Sequence, residues 1–392
     1  MNMALVERRS ARRRTIAGGE RPPFDCIALL LQGGGALGAY QAGVYQALAQ
    51  ANLHPDWVAG ISIGAINSAI IAGNSSDTRV EQLGRFWKRV TEQPWSATNF
   101  FEPRGDLARG LWNQFSAGLS TALGVPGFFL PWSVSPWLQP AGALEAVSYY
   151  DTSALKTTLE QFVDFDRINS GEMRFSAGAV NVATGNFVYF DNTTHTIAPE
   201  HVMASAALPP GFPPVEIEGS YYWDGGLVSN TPLQWVLESE PRMDTLAFQV
   251  DLWSARGPLP RTMSDVMTRQ KEIQYSSRTR ANSDRFRQYQ KTRNALSDLL
   301  RNLPDELRQS PEYNFLRPAA ERKVYNLVQL IYRSKQYESG SKDYEFSRSS
   351  MEEHLRAGYH DTVRTLRHPE VLRRPTDNEG VFTFDLAVNG RE

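Results

Sequence analysis

A serine flanked by glycines, Gly60-Ile61-Ser62-Ile63-Gly64, is the first place in this 392-residue chain where chemistry is expected. Small neighbours let such a serine sit on a sharp strand-to-helix turn with its Oγ standing clear of a sheet. A helix beginning just after Ser62 turns its positive end toward that oxygen and favours negative charge developing there. Two further clusters invite attention. Gly33-Gly34-Gly35-Ala36-Leu37-Gly38 lies early in the chain, and Asp224-Gly225-Gly226, followed by Asn230 and Pro232, lies 162 residues beyond Ser62.

Each cluster by itself admits more than one reading. G-x-S-x-G recurs by chance. A G-x-G-x-x-G after a first strand is also the fingerprint of a dinucleotide site, whose backbone N–H groups cradle a pyrophosphate, but that site needs an acidic residue about 20 positions on, ending the second strand. The nearest candidate, Asp56, precedes the apolar part of that strand. A tight packing turn would explain one or two glycines but hardly three in a row. In an oxyanion hole, residues without side chains let N–H groups approach a tetrahedral intermediate, each donor contributing roughly 3–4 kcal/mol. Ser62 also needs a base. Asp224 follows Tyr221-Tyr222-Trp223 and precedes two glycines, as a carboxylate at a strand end would. Burial there would raise its proton affinity above the ordinary value of about 3.9. A simple Asp-Gly turn is the competing reading. A Ser-Asp-His triad would need a histidine after Asp224, a condition that His354, His360 and His368 meet by order only.

These residues must be carried by regular elements. Residues 26–32 form a short apolar run ended by glycines, the mark of a buried strand. Leu37, Tyr40, Val44, Ala47 and Leu48 then recur at helical spacing. Residues 54–60 are extended in character, and 63–72 read as a buried helix closing near Gly73-Asn74. Strand, glycine turn and helix, twice over, is the pattern of a parallel α/β sheet. Further on, the pattern predicts a helix near 151–164, strands near 174–180 and 186–190, a helix from about 199 and a strand at 246–251. One long helix or two are expected over 262–303, a strand over 324–332, and a final amphipathic helix over 347–367 with Ser347 or Ser349 as N-cap. Between 95 and 142 the texture changes. Trp95, Phe100, Phe101, Trp112, Phe115, Phe128, Phe129, Trp132 and Trp137 are interleaved with Pro126, Pro131, Pro136 and Pro140, which rule out one continuous helix. This stretch reads either as an apolar lid over an acyl chain or as an irregular aromatic segment buried against the sheet. The chain thus divides into a basic, disordered tail at 1–24, a catalytic domain at 25–255 carrying the 95–142 insertion, and a basic, mostly helical C-terminal extension at 256–392.

Taken in order, LLLQGGGALGAYQAG, GISIGAINS and DGGLVSNTP resemble the three signature blocks of patatin-like phospholipases, over roughly residues 26–255. The conjunction is far more specific than any block alone. The resemblance implies a three-layer α/β/α sandwich around a mainly parallel sheet. It implies acyl-ester hydrolysis through an acyl-enzyme and a serine–aspartate dyad, with no histidine and no cofactor. Ser62 would be the nucleophile, Asp224 the base, and Gly33, Gly34 and Gly35 the oxyanion backbone, with Gly38, Gly60, Gly64, Gly225 and Gly226 as the other motif glycines. The part from about 256 resembles the C-terminal extension of a bacterial branch of the family. Many members carry Arg or Lys where this chain has Leu37. Losing that cation beside the oxyanion turn points toward neutral esters rather than anionic headgroups. A lipid ester is the expected substrate. The alternatives are a short hydroxyacid ester of the hydroxybutyrate type, and non-catalytic binding at a lipid or granule surface.

Composition narrows the remaining classes. With 41% hydrophobic and 21% charged residues the chain is ordinary globular material. The single cysteine, Cys26, excludes an internal disulfide and a cysteine-based metal cluster, and the spacing of His354 and His360 is not that of a helical zinc site, so no metal is expected. No apolar run reaches the roughly 18–20 residues of a membrane span. The basic stretch at 8–14 is followed by TIAGGERPPFD rather than by an apolar run, so it reads as a solvated tail and the protein as cytoplasmic. The net charge of −2 is unevenly spread: residues 22–255 carry 10 Lys/Arg against 22 Asp/Glu, and residues 256–374 carry 24 against 15. The basic part reads either as a face for anionic partners, lipid headgroups rather than nucleic acid, or as solvated helix faces that neutralise the acidic part.

Overall fold

Six strands joined edge to edge by parallel pairing form the spine of the protein. In the computed structural model, residues 21–92, 105–276, 279–320, 322–335, 337–338, 340–375 and 380–386 are described. Most of the expected tail at 1–24, and Trp95, Phe100 and Phe101 of the aromatic stretch, lie outside them. In chain order the main elements are β1 Cys26–Leu31, α1 Ala39–Gln50, β2 Trp57–Ile61, α2 Ile63–Ala72, α3 Arg79–Val90, α4 Asp106–Leu123, β3 Leu130–Pro131 and β4 Tyr150–Asp151. Then come α5 Ser153–Phe162, α6 Phe165–Asn169, β5 Arg174–Asn181, β6 Phe187–Asp191, α7 Pro199–Ser205, β7 Val215–Ile217, β8 Ser220–Asp224, α8 Leu233–Glu238 and β9 Thr245–Asp251. Last are α9 Met263–Tyr275, α10 Thr279–Arg301, α11 Pro311–Leu316, β10 Tyr325–Ile331, α12 Arg348–Thr365 and β11 Val381–Phe384.

The main sheet runs β11-β10-β9-β1-β2-β5-β8-β7, with β6 also on β5. Pairing is parallel from β11 to β5 and antiparallel for β5–β6, β5–β8 and β7–β8. Strand β1 shows why its sequence reads as an unbroken apolar run. Ile27, Leu29 and Leu31 face one core with the side chains of α1, α2 and α3, whereas Cys26, Ala28 and Leu30 face another with Leu233, Val236 and Leu237 of α8 and Phe286 of α10. A parallel strand covered on both faces has no polar side to show. These are the expected three layers, and the part after residue 255 is largely helical. It also supplies β10 and β11 to the same sheet.

Strand β5 carries the arrangement on which the site depends. Its residues 176–180 pair with β6 along one edge. Along the other edge, β2 pairs with 174–178 and ends with Ile61 opposite Gly178; β8 then takes over with Asp224 opposite Ala179. The end of β2 and the end of β8 therefore meet on adjacent registers of one edge.

Three features escaped the sequence pattern. Residues 106–123 form a helix, because no proline falls between Pro103 and Pro126. Strands β7 and β8 are a hairpin of three and five residues turned by Glu218 (φ 50°) and Gly219 (φ 76°), too short for alternation to be visible. Strand β11 has only four residues. Several basic residues of the C-terminal part are paired: Arg269 and Lys342 with Glu272, Arg348 and Arg356 with Glu352, and, across to the acidic part, Arg374 with Asp244 and Lys323 with Asp25. Among the described residues no helix is long and apolar enough to cross a membrane.

Helix α12 is seated on α1 by reciprocal glycines. A Cβ at Gly43 would overlap the carbonyl of Leu355, and one at Gly358 would overlap the carbonyl of Tyr40. Alanine in a helix interior is normally better than glycine by about 1 kcal/mol, but forcing two backbones apart costs about 1–3 kcal/mol or more. Gly358→Ala is therefore expected to lower the urea unfolding midpoint. An unchanged or higher midpoint would mean that the two helices do not pack so closely.

Candidate active site

Ser62 caps β2 with φ 57° and ψ −126°, a backbone conformation rarely adopted by residues with side chains. Such geometry costs on the order of 1–3 kcal/mol and persists only where surroundings enforce it. Here the Ser62 N–H donates to Ser205 Oγ at 3.1 Å, and that hydroxyl donates to Gly178 O at 2.7 Å, so α7 and β5 hold the turn. The flanking glycines are required by close approach. A Cβ at Gly60 would overlap the backbone of Gly64, and one at Gly64 would overlap the carbonyl of Leu31.

Asp224 arrives on β8 facing the Ser62 hydroxyl. Its side chain is 1% exposed, and the Gly226 N–H donates to Oδ1 at 2.7 Å. Burial pushes its carboxyl from 3.8 up to about 7; the Ser62 hydroxyl and the Gly226 N–H, which favour the charged form, moderate the rise. Gly225 lies against Gly178, where a Cβ would come within 2.6 Å of the carbonyl oxygen.

The glycine run lies across from this pair. Gly33 is tied down by its N–H to Asn230 O (3.4 Å) and by its carbonyl, which accepts from Asn230 Nδ2 (3.1 Å) and Trp253 Nε1 (2.9 Å). Ala36 N–H donates to Asp343 O at 2.7 Å. Between these anchors, the N–H groups of Gly34 and Gly35 have no protein acceptor among the described residues. Gly35 has φ +54°, and a Cβ there would overlap Asp343 O; a Cβ at Gly34 would come within 2.8 Å of Leu252. Gly38 belongs to the helix entry rather than to the turn, and is packed under Ile63 and Trp87.

Gly33, Gly34, Gly35, Ser62 and Asp224 all line one pocket of about 310 Å³. Its wall has two characters. Phe128, Phe129, Tyr150, Phe212 and Phe346 form a continuous aromatic patch with ring centroids 4.8–6.2 Å apart. Trp253, Tyr275, Tyr344, Lys271 and Asp343 form a polar and charged one. The 95–142 stretch is thus divided: Phe128 and Phe129 are buried in the pocket wall, while Trp137 is 85% exposed. None of the six histidines lines the pocket; His354 is buried elsewhere, 2.9 Å from Glu338.

The structure corrects one expectation. Leu37 does not face a substrate: it is fully buried in the core and absent from the pocket wall. Its neutrality therefore says nothing about headgroup preference, and a cation is present in the pocket as Lys271. Sequence patterns also missed the residues that hold the site together. Gln32, buried, accepts the N–H groups of Leu252 and Trp253 at 2.6 and 2.9 Å and donates to Thr231 Oγ1 and Tyr275 O at 3.1 Å each. The one available signal was a polar side chain ending an otherwise apolar strand. Ser205, Trp253 and Asp343 carried none.

Sequence comparison places these residues in context. The pattern of a family described as patatin-like phospholipase matches residues 29–236, and that of a family described as patatin phospholipase matches residues 273–378. The chain is 38% identical over 92 residues to patatin-like phospholipase domain-containing protein 6 of Mus musculus, covering 24% of this chain and 6% of that protein. It is 23% identical over 251 residues to lysophospholipase NTE1 of Candida glabrata, covering 62% of this chain and 11% of the relative. The chain thus spans only a small part of these curated relatives. Among solved structures, VipD from Legionella pneumophila aligns with 94% of this chain and 73% of its own, at 14% identity and a TM-score of 0.34.

The buried carboxyl has a consequence for stability. A group whose folded pKa is raised contributes fully below its unfolded value, and that contribution is lost as pH rises through the folded value, here from about 4 to about 7. At full ionisation the loss is on the order of 4 kcal/mol at most. Asp224→Asn cannot ionise and keeps the acceptor for Gly226. Its Tm should exceed that of the wild type at pH 8 and converge with it near pH 4. A Tm difference that does not change with pH would show that Asp224 is not a buried titrating group.

Proposed function

The chain belongs to the patatin-like phospholipase family, and we propose that it hydrolyses lipid acyl esters through a Ser62–Asp224 dyad and an acyl-enzyme intermediate. The observation that carries this reading is the buried Asp224 carboxyl, pushed up to about 7, facing the hydroxyl of the strained Ser62 beside two unpaired N–H groups. A base is most effective when its pKa lies near the working pH. Ser62 Oγ attacks the ester carbonyl carbon and its proton passes to Asp224. The tetrahedral oxyanion is held by the N–H groups of Gly34 and Gly35, with Gly33 as the anchor that aims them rather than as a donor. As the C–O bond breaks, the proton goes to the departing alcohol. Water then attacks the acyl-enzyme, giving its proton to Asp224, and the acid is released as Ser62 recovers the proton.

The aromatic patch favours an acyl chain over a short hydroxyacid, since each methylene buried against it contributes about 0.8 kcal/mol. Contact with a lipid surface fits the pocket's rim. The segment between pocket residues Phe129 and Tyr150 exposes Leu130, Val134, Trp137, Leu138, Leu144 and Val147, and α4, which brings Thr121 to the pocket, exposes Leu111, Phe115 and Leu123. Exposed apolar side chains on segments that adjoin a pocket in this way suit an interaction surface.

A fluorophosphonate probe is expected to label the wild type and not Ser62→Ala; equal labelling of both would remove Ser62 as nucleophile. Asp224→Asn should lose about 10²–10⁴ in kcat/KM. The wild-type kcat/KM should fall with decreasing pH through a single ionisation near 7, since the base must be unprotonated. An acidic limb near 4 would show that the base has an ordinary aspartate proton affinity, and a histidine variant as inactive as Asp224→Asn would replace the dyad by a triad.

For the rim, a Trp137→Ser, Leu138→Ser double variant should bind phospholipid vesicles about tenfold more weakly, the equivalent of losing about 1.4 kcal/mol of apolar burial. Hydrolysis of a soluble short-chain ester should persist. Binding that ignores the double variant but collapses with added salt would move the contact to the basic C-terminal part.

A further inference from the structure

Lys271 places a cation on the wall of a lipid-type pocket. Two lysines flank the Trp253 ring, at 5.7 Å for Lys271 Nζ and 5.1 Å for Lys342 Nζ. Lys342 is the structural one. Its side chain is 2% exposed, lies outside the pocket, and donates to Glu272 at 2.7 Å and Ser334 at 2.6 Å. Lys271 instead lines the pocket with Ser62 and the glycine run, and is the only Lys or Arg there among the described residues. It donates to Asp343 Oδ1 at 2.6 Å and, at 3.4 Å, to Gly340 O. An ammonium has three hydrogens to place, so Lys271 retains donor capacity toward the cavity. The ring of Tyr344 lies 5.2 Å from the same nitrogen.

The pair is not needed to hold the oxyanion turn, since the contact there is made by the Asp343 backbone carbonyl to Ala36 N–H. The Asp343 side chain is engaged by Lys271 and by its own backbone N–H, with Lys342 nearby. Burial pushes that carboxyl up even against the pull of Lys271, so its charged form is poorly solvated where it sits. An incoming anion with better access to the ammonium can take its place.

We propose that Lys271 is a specificity-determining residue, holding a phosphate or carboxylate carried by the ester substrate in exchange for its resting partner Asp343. The aromatic patch then takes the acyl chain and the Trp253–Tyr344–Lys271 side takes the anionic group. The proposal rests on the hydrolase reading above and adds to it the class of ester preferred.

The test uses the full chain and three soluble esters with the same acyl group: one whose alcohol carries a phosphate, one whose alcohol carries a carboxylate, and an uncharged analogue. The readout is the ratio of kcat/KM for each anionic ester to that of the neutral one. Lys271→Gln should lower the ratio about tenfold, and Lys271→Arg should restore most of it. Asp343→Asn, which frees the ammonium and preserves the backbone carbonyl, should raise it; this arm stands if the Lys271 variants do not fold. The anionic ester with the larger change identifies the group recognised. A ratio that does not move in Lys271→Gln, or falls in Asp343→Asn, overturns the proposal. Wild-type protein that turns over no ester in a Ser62-dependent way would instead overturn the hydrolase reading and this inference with it. Ser62-dependent turnover of the neutral ester with an unmoved ratio overturns the inference alone.

Discussion

Strand β5 offers one edge to two strands in succession, and the geometry of the site follows from that sharing. Because β2 stops opposite Gly178 and β8 begins its pairing opposite Ala179, the chain must leave the sheet sharply at Ser62 while Asp224 enters from the other direction. A longer β2 would occupy the register Asp224 needs. A shorter one would leave Ser62 without the Ser205 and Gly178 bonds that hold its strained backbone. The carboxyl and the hydroxyl face each other because two strand ends cannot occupy the same register.

Placing a carboxyl at that position removes it from water, and the protein does not compensate with a cation. Among the described residues only a hydroxyl and one N–H address the Asp224 carboxyl, so its proton affinity rises toward neutrality instead of being suppressed. Asp191 provides a contrast within the same sheet. It too is closed off from solvent, though less deeply desolvated, and hydrogen bonds from Thr193 and Ser176, with Arg174 at 2.9 Å, hold its carboxyl low against that burial. Two aspartates next to one strand thus have opposite acid–base character because of their depth and their partners. The same lack of compensation makes the site a liability to the fold at high pH, offset by a sheet covered on both faces.

The part of the chain beyond residue 255 enters the site itself. Tyr275 accepts hydrogen bonds from Gln32 and Asn230 on its carbonyl, Asp343 accepts from Ala36, and Lys271, Tyr344 and Phe346 complete the pocket wall. Helix α12, wedged onto α1 through Gly43 and Gly358, fixes the distance at which these groups meet the glycine run. Removing this part would leave the glycine turn open on one side and Gln32 without some of its partners.

Much of this was legible in the chain alone. The apolar runs of β1, β2, β5 and β9, the spacing of α1, α2 and α12, and a serine N-cap at 347 or 349 are local matters, set by periodicity and capping over a few residues, and the structure repeats them with Ser347 as the cap. Three glycines in a row and the small neighbours of Ser62 are likewise local, since backbone close approach leaves its mark on residue type. What the sequence could not carry was which residues meet. Leu37 looked like a substrate contact because it adjoins the turn in sequence, yet one rotation of the 3₁₀ turn at Gly35–Gly38 sends it into the core. The cation on the pocket wall is Lys271, more than two hundred residues away. The proton affinity of Asp224 depends on burial and on the absence of a partner, and the pocket's two-sided wall depends on Phe128 and Phe346 reaching one place from opposite ends of the chain. Helical and strand periods act over one or two turns, whereas dielectric, ion pairing and cavity shape arise only when distant segments close around the same space.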